Sequence, residues 1–153
     1  MKQLSYLGAV CLITVGVCAY TASATELALT RYIEKQAFKK TGLEKKLPQL
    51  FVIDANDKPI YYQIGSSTDN FAELMINRDM AEDADYTQSS WQLLRQLPEV
   101  ASVLEETRGQ AERIILVTAD PNWFDCTACT VQKESLTAYN SVHESNIINF
   151  NIR

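Results

Sequence analysis

The chain has 153 residues, of which 46% are hydrophobic, and its formal net charge at pH 7 is −5. This acidic balance argues against nucleic acid or an anionic membrane surface as a partner, because both attract basic protein faces. The sequence also has no glycine-rich phosphate loop and no nucleophile-elbow motif, which disfavours a phosphate-loop enzyme or a serine hydrolase.

The first 24 residues have the pattern of a secretory signal peptide. A short basic start precedes an apolar run over residues 4–19, and Ala-Ser-Ala follows at 22–24. Because the run is shorter than the ~20 residues of a membrane-spanning helix, we predict cleavage after Ala24 rather than a retained anchor. The predicted mature chain is one domain over residues 25–153, periplasmic or secreted, with no stable membrane insertion.

The first half of the mature chain predicts a helix, a hairpin and a second helix. Apolar residues share one helical face over 27–41, where lysines gather near the end and Gly42 stops the pattern. Two strands over 50–54 and 60–64 flank the turn sequence ANDKP, which predicts an antiparallel pair. A helix over 69–78 and an exposed connection over 79–87 follow.

The second half predicts two helices and a β-α-β unit. Pro98 separates the helical segments SSWQLLRQL and PEVASVLEET, because proline suits the first turn of a helix and not its interior. The run RIILVTA is apolar on both faces, as in a central parallel strand over 113–118. A loop containing the cysteines, a helix over 131–139 and a strand over 147–152 complete the unit, whose crossover we expect to be right-handed.

The two cysteines that remain after signal-peptide removal, Cys126 and Cys129, form a C-x-x-C pair in a predicted oxidising compartment. A structural zinc site needs four ligands, and the only histidine of the chain is His143, so we predict no metal. A cross-link over so short a loop stabilises by only about 2 kcal/mol, against ~4.7 for a hundred-residue loop. A structural disulfide nevertheless remains an alternative to redox chemistry.

Redox chemistry suits this spacing because Cys126 falls where a helix should begin. Unpaired N–H groups and the helix dipole there favour the thiolate, which is the attacking form of a thiol. Cys129, within the first turn, can then resolve a mixed disulfide. The neighbouring carboxylate of Asp125 opposes this by raising a thiol pKa, which predicts a mild oxidant or a reductant.

The stretch RIILVTADPNWFDCTACTVQKESL resembles the thioredoxin-like family, which places a C-x-x-C between a central strand and a helix. The stretch LPQLFVIDANDKPIYYQIGSSTDNFAELM resembles the family's cis-proline, hairpin and last helix, with Pro48 in the proline position. Here it precedes the cysteines instead of following them. The resemblance therefore implies a circularly permuted thioredoxin-like α/β fold, with a central mixed four-stranded sheet flanked by helices. Its implied strand order is 60–64, 50–54, 113–118, 147–152, with 50–54 antiparallel to 113–118.

The function that the resemblance implies is a periplasmic thiol–disulfide oxidoreductase acting on polypeptide thiols or disulfides, with a redox partner protein and no cofactor. Cys126 would attack, Cys129 would release the product, and Pro48, Trp123 and Phe124 would contact the polypeptide. The alternative is a non-catalytic thioredoxin-like binding module of an envelope assembly or secretion apparatus, with a structural disulfide. In the family a tryptophan usually comes directly before the first cysteine, whereas Trp123 lies three positions before it.

Overall fold

The structure is a computed structural model that describes residues 29–66, 84–143 and 145–153. The predicted signal peptide and the helix predicted over 69–78 lie outside these residues. The described part is an α/β fold in which four helices surround a mixed five-stranded open sheet. In chain order its elements are β1 (Leu29–Ile33), α1 (Lys35–Lys40), β2 (Gln49–Ile53), β3 (Pro59–Ile64), α2 (Ala84–Leu94), α3 (Pro98–Glu106), β4 (Arg113–Ala119), α4 (Thr127–His143) and β5 (Asn146–Ile152).

The sheet order is β1-β5-β4-β2-β3. β4 and β5 are parallel, whereas β2 is antiparallel to both of its neighbours, β3 and β4. The order and directions that we predict for these four strands are therefore confirmed, as is the α/β class. Every residue of β2 and β4 is buried, which explains why both strands are apolar on both faces.

The predicted count of four strands is wrong, because residues 29–33 form a fifth strand instead of the first turns of a helix. β1 pairs in parallel with β5 and extends the sheet beyond the last predicted strand. Its sequence, LTRYI, contains Thr30, Tyr32 and Ile33, all of which favour strands. In the described part of the helix predicted over 27–41, only the six residues of α1 form an α-helix. Pairing with β1 satisfies the backbone N–H and C=O groups along the outer edge of β5, which a helix at residues 29–33 would leave unpaired.

Helices cover both faces of the sheet and create two apolar clusters. One cluster joins Trp91 of α2 and Val100 of α3 to inward side chains of β2, β4 and β5. The other places Leu136 of α4 against Leu50 and Ile114 from the opposite sheet face. Both clusters are built from buried side chains on opposite faces of the sheet, so the sheet is the middle layer of the fold.

The helix boundaries confirm part of the prediction and correct the rest. Pro98 begins α3, as the sequence predicts. α2 begins at Ala84, so the last residues of the predicted exposed connection 79–87 are helical, and Thr87 among them is buried. The helix predicted over 131–139 is longer at both ends, since α4 runs from Thr127 to His143. Of the helices described, none has the length and apolarity needed to cross a membrane.

A buried arginine fastens the turn between β2 and β3 to the start of β4. The Arg113 side chain is fully buried, and its Nη2 donates to Asp57 Oδ1 at 2.6 Å and to the Asp54 carbonyl at 2.8 Å. Nη1 of the same side chain donates to Oγ1 of Thr107, directly after α3, at 3.2 Å. Asp57 has a φ of 62°, and its carbonyl accepts a hydrogen bond from Trp91 Nε1 at 2.9 Å. These bonds fix the end of the hairpin that lies opposite the cysteines.

Candidate functional site

The cysteine loop leaves one edge of the sheet, where several strand ends meet. β4 ends at Ala119, which pairs with Ile152 near the end of β5. β2 runs the other way, so its first residue, Gln49, pairs with Val117 near the same edge. In open α/β sheets, ligands bind outside the carboxyl ends of the parallel strands. Pro48, directly before Gln49, therefore lies at the sheet edge from which the cysteine loop departs.

A turn built on Asp120 presents the aromatic residues of the loop. The Asp120 N–H donates to the Ile152 carbonyl at 2.9 Å, which holds the loop against the end of β5. Its own carbonyl accepts hydrogen bonds from the N–H groups of Trp123 and Phe124, each at 3.0 Å. Its carboxylate Oδ1 accepts one from the Asn122 N–H at 2.9 Å. The loop therefore has a defined shape, in which the Trp123 side chain is 69% exposed.

Cys126 occupies the capping position of α4. Its carbonyl accepts the Thr130 N–H at 3.2 Å, which is the first hydrogen bond of the helix. Its Sγ accepts the Cys129 N–H at 3.2 Å, as the oxygen of an N-terminal cap residue does. The two cysteines form a disulfide with their Cα atoms 5.2 Å apart. The prediction that the C-x-x-C pair opens a helix is therefore confirmed.

The two sulfur positions differ in accessibility. Cys129 is only 4% exposed, and it lies in the first turn of α4. Cys126 is partly exposed and lines open cavities on both sides of the loop. An incoming thiolate can therefore reach Cys126 Sγ more readily than Cys129 Sγ. On reduction, the N–H that contacts Cys126 Sγ would stabilise a negative charge on that sulfur.

A half-buried lysine lies one helical turn after Cys129. Lys133 lines a cavity of about 320 Å³ together with both cysteines. Desolvation lowers the pKa of Lys133, and the nearby negative charge of Asp120 partly opposes this effect. Its Nζ donates to Asn151 Oδ1 at 3.2 Å. A titratable amine is thus held beside the disulfide.

Lys133 is anchored to a small polar cluster beneath α4. Thr118 Oγ1 donates toward Asn151 Oδ1 at 2.8 Å, and Asn149 Nδ2 donates to the same oxygen at 3.0 Å. All three of these side chains are buried between β4, β5 and α4. Polar groups buried in this way are costly unless paired, so the mutual bonds fix their positions and that of the lysine.

Pro48 follows a cis peptide bond from Leu47. This is the peptide geometry that the resemblance implies, whereas most X-Pro bonds are trans. The Pro48 ring is buried, and its carbonyl accepts the Gly65 N–H at 2.7 Å. Leu47, by contrast, is partly exposed and lines a cavity together with Cys126. The structure thus places Leu47, directly before Pro48 and the β2–β3 hairpin, on the same surface as the cysteine loop.

Trp123 and Phe124 line both the cavity described above, which contains Lys133, and one further cavity. Both residues line the 320 Å³ cavity that contains the cysteines, and both line a neighbouring cavity of about 770 Å³. Tyr32 and Arg153 form part of the second cavity, and the Arg153 guanidinium lies 5.0 Å from the Tyr32 ring centroid. The exposed aromatic surface is therefore continuous with the disulfide.

Sequence reasoning missed Asp120, Lys133 and the lysines near residue 40 as site residues. Asp120 follows directly after a β-strand, a position typical of functional loops, which is a signal that could have identified it. Lys133 lies four residues after Cys129, so helical periodicity places both on one face. The contribution of the lysines depends on packing between segments far apart in sequence, which spacing alone does not reveal.

Among the described residues, no cluster of three or more His, Cys, Asp or Glu side chains is arranged to hold a metal ion. Comparisons with protein-family models, with curated proteins and with solved structures find no match to this chain.

Proposed function

We propose that this chain is a periplasmic thiol–disulfide oxidoreductase that acts on polypeptides and has a circularly permuted thioredoxin-like fold. The observation that carries the proposal is the contrast between the two sulfurs at the start of α4. Cys126 is partly exposed and its Sγ accepts the Cys129 N–H at 3.2 Å, whereas Cys129 is 4% exposed. This contrast supports attack by Cys126 and resolution by Cys129.

The exchange that these positions support is a sequence of two thiolate displacements. In the oxidised protein, a client thiolate attacks Cys126 Sγ, the Cys126–Cys129 bond breaks, and Cys129 leaves as a thiolate. A second client thiolate then attacks the client sulfur of the mixed disulfide, and Cys126 leaves as a thiolate. The client gains a disulfide, and the protein gains two electrons as a dithiol. The reverse sequence reduces a client disulfide.

The fold proposal draws on the strand order and on the antiparallel pairing of β2 with β4. These features agree with a thioredoxin-like arrangement in which the chain begins part-way through the fold. Pro48 shapes the surface through its backbone rather than its buried ring, and Leu47, Trp123 and Phe124 offer apolar contacts to a client. The proposed location in the periplasm draws on the signal-peptide pattern of the first 24 residues.

Catalysed reduction of a disulfide-bonded model polypeptide by dithiothreitol tests the proposed activity. Freed client thiols are counted by alkylation, and the Cys126→Ser/Cys129→Ser double variant is the matched control. We expect substoichiometric amounts of the mature protein to accelerate client reduction about tenfold or more over the control. A rate equal to that of the double variant would contradict the proposal and would favour a binding module with a structural disulfide.

A further inference from the structure

We infer that the groove beside Cys126 selects acidic polypeptide segments, an inference that rests on the proposed function and names its substrate class. The groove, here called the lysine groove, is a cavity of about 320 Å³ lined by Lys35, Lys39, Lys45, Leu47, Phe124 and Cys126. Three lysines thus line a space that the partly exposed Cys126 also lines.

The positive charge of this region is opposite to that of the protein as a whole. Residues 34–46 contain five lysines and two glutamates, a net charge of +3, whereas the complete chain carries −5. The remaining residues therefore carry −8. A cluster of lysines on an acidic protein creates a local positive potential that attracts anions.

The lysines come from two segments whose positions are fixed. Lys35 and Lys39 lie four residues apart on α1, which places them on the same helical face. Gly42, at a φ of 83°, lets the chain turn back after α1 toward Lys45. The buried Gln49 side chain then donates to the carbonyl of Lys46 at 3.2 Å, which holds the segment that carries Lys45.

The ammonium groups are available to a ligand. In the described parts of the chain, no carboxylate forms an ion pair with Lys39 or Lys45, and both residues are exposed. The Lys35 Nζ lies 4.3 Å from the centroid of the Phe124 ring, which positions it beside the cysteine loop. Asp125 is the one carboxylate among the lining residues, so the groove retains a net charge of +2.

The lining of the groove favours an extended polypeptide rather than a small anion. Leu47 and Phe124, both partly exposed, add apolar surface to the lining beside the lysines and Cys126. A segment that carries a cysteine beside acidic residues could place its sulfur at Cys126 and its carboxylates near the ammonium groups. The apolar surface would contact the aliphatic or aromatic side chains between them.

Cysteine peptides of one length, flanked by glutamates, glutamines or lysines, test this inference. The rate at which each reduced peptide opens the Cys126–Cys129 disulfide is measured by acid quench and mass spectrometry. The rate at which the same peptide reacts with a small uncharged disulfide is also measured. Each rate is divided by this reference rate, because flanking carboxylates raise the pKa of the peptide thiol and change its intrinsic reactivity. We expect a corrected rate about tenfold higher for the glutamate peptide than for the lysine peptide at low ionic strength. This ratio should fall to about twofold or less in about 0.5 M salt.

Two double variants distinguish the effect of the lysine groove on this ratio from the effect of the protein's net charge. Lys39→Gln/Lys45→Gln should lower the glutamate-to-lysine ratio by about threefold or more. Lys58→Gln/Arg95→Gln removes the same charge near the Asp57 and Trp91 end of the sheet, and it should leave the ratio unchanged. Equal rates for all peptides, preference for the lysine peptide, or an equal fall in both variants would overturn the inference. Dithiothreitol, an uncharged thiol, distinguishes failure of this inference from failure of the proposed function. If dithiothreitol still opens the Cys126–Cys129 disulfide while the peptides give one of these results, the preference for acidic segments is wrong and the proposed activity stands.

Discussion

Replacement of Cys129 by serine should trap client polypeptides as stable mixed disulfides on Cys126. The accessible Cys126 Sγ would still attack a client disulfide, and the Cys129 N–H that contacts it at 3.2 Å would remain in place. The buried sulfur that completes the exchange would be absent, and a serine hydroxyl does not displace a disulfide. The reduced variant is incubated with an oxidised client, quenched with a thiol-blocking reagent, and analysed by mass spectrometry. We expect a covalent complex that dithiothreitol releases.

The matched control is Cys126→Ser, which removes the accessible sulfur and retains the buried one. We expect at least a ~10³-fold loss of exchange rate, because the attacking atom is lost. It should also give little covalent complex, since Cys129 is 4% exposed. Equal trapping by both variants would contradict the assignment of roles, as would trapping by Cys126→Ser alone.

Replacement of Arg113 by methionine should lower the free energy of unfolding by about 3 kcal/mol. The Arg113 side chain is fully buried and pairs with Asp57 at 2.6 Å. Removing one partner of a buried pair commonly costs about 3–5 kcal/mol, because the other charge loses its compensation. The Asp57 side chain is 25% exposed, so water relieves part of this penalty and the lower end of the range applies. Denaturant unfolding of the mature protein measures the change.

Arg108→Met is the control, because it measures how much the free energy of unfolding changes when an exposed arginine is replaced. Arg108 pairs with Glu105 on the surface, where their side chains are 73% and 67% exposed. Exposed ion pairs contribute at most about 1 kcal/mol, so this variant should change stability by less than that. If the two variants lost the same stability, the buried arginine would not be the tether that the structure indicates. Retained disulfide exchange in a folded Arg113→Met protein would show that the effect is on stability.

Much of the sheet could be predicted because four strands have strong local patterns. β2 and β4 are short apolar runs bounded by turn residues, and β3 follows the turn after β2. β1 could not be predicted in the same way. Its apolar residues fit both a helical face and a short strand, and only the free edge of β5, more than a hundred residues later, decides between them.

The candidate site, like the sheet, has one feature that the local sequence predicts and another that depends on contacts between distant segments. The start of a helix at Cys126 could be predicted from the spacing and from the sequence after it, and the structure confirms it. The lysine groove could not, because Lys39 reaches the cysteines only through the pairing of segments at opposite ends of the chain. The lysines near residue 40 are visible in the sequence, but their local pattern predicts only the end of a helix.

The pH dependence of alkylation of the reduced protein tests the central claim most directly, namely that Cys126 is the attacking sulfur and that the start of α4 stabilises its thiolate. The Cys129 N–H and the helix dipole favour the Cys126 thiolate, whereas the negative charge of Asp125 disfavours it. Because Asp125 is exposed, water screens its charge and makes this second effect the weaker one. Iodoacetamide should modify Cys126 first, with a half-maximal rate at a pH below the ~8.5 of a free cysteine. Faster modification of Cys129, equal rates at both cysteines, or a midpoint for Cys126 at or above ~8.5 would contradict the account.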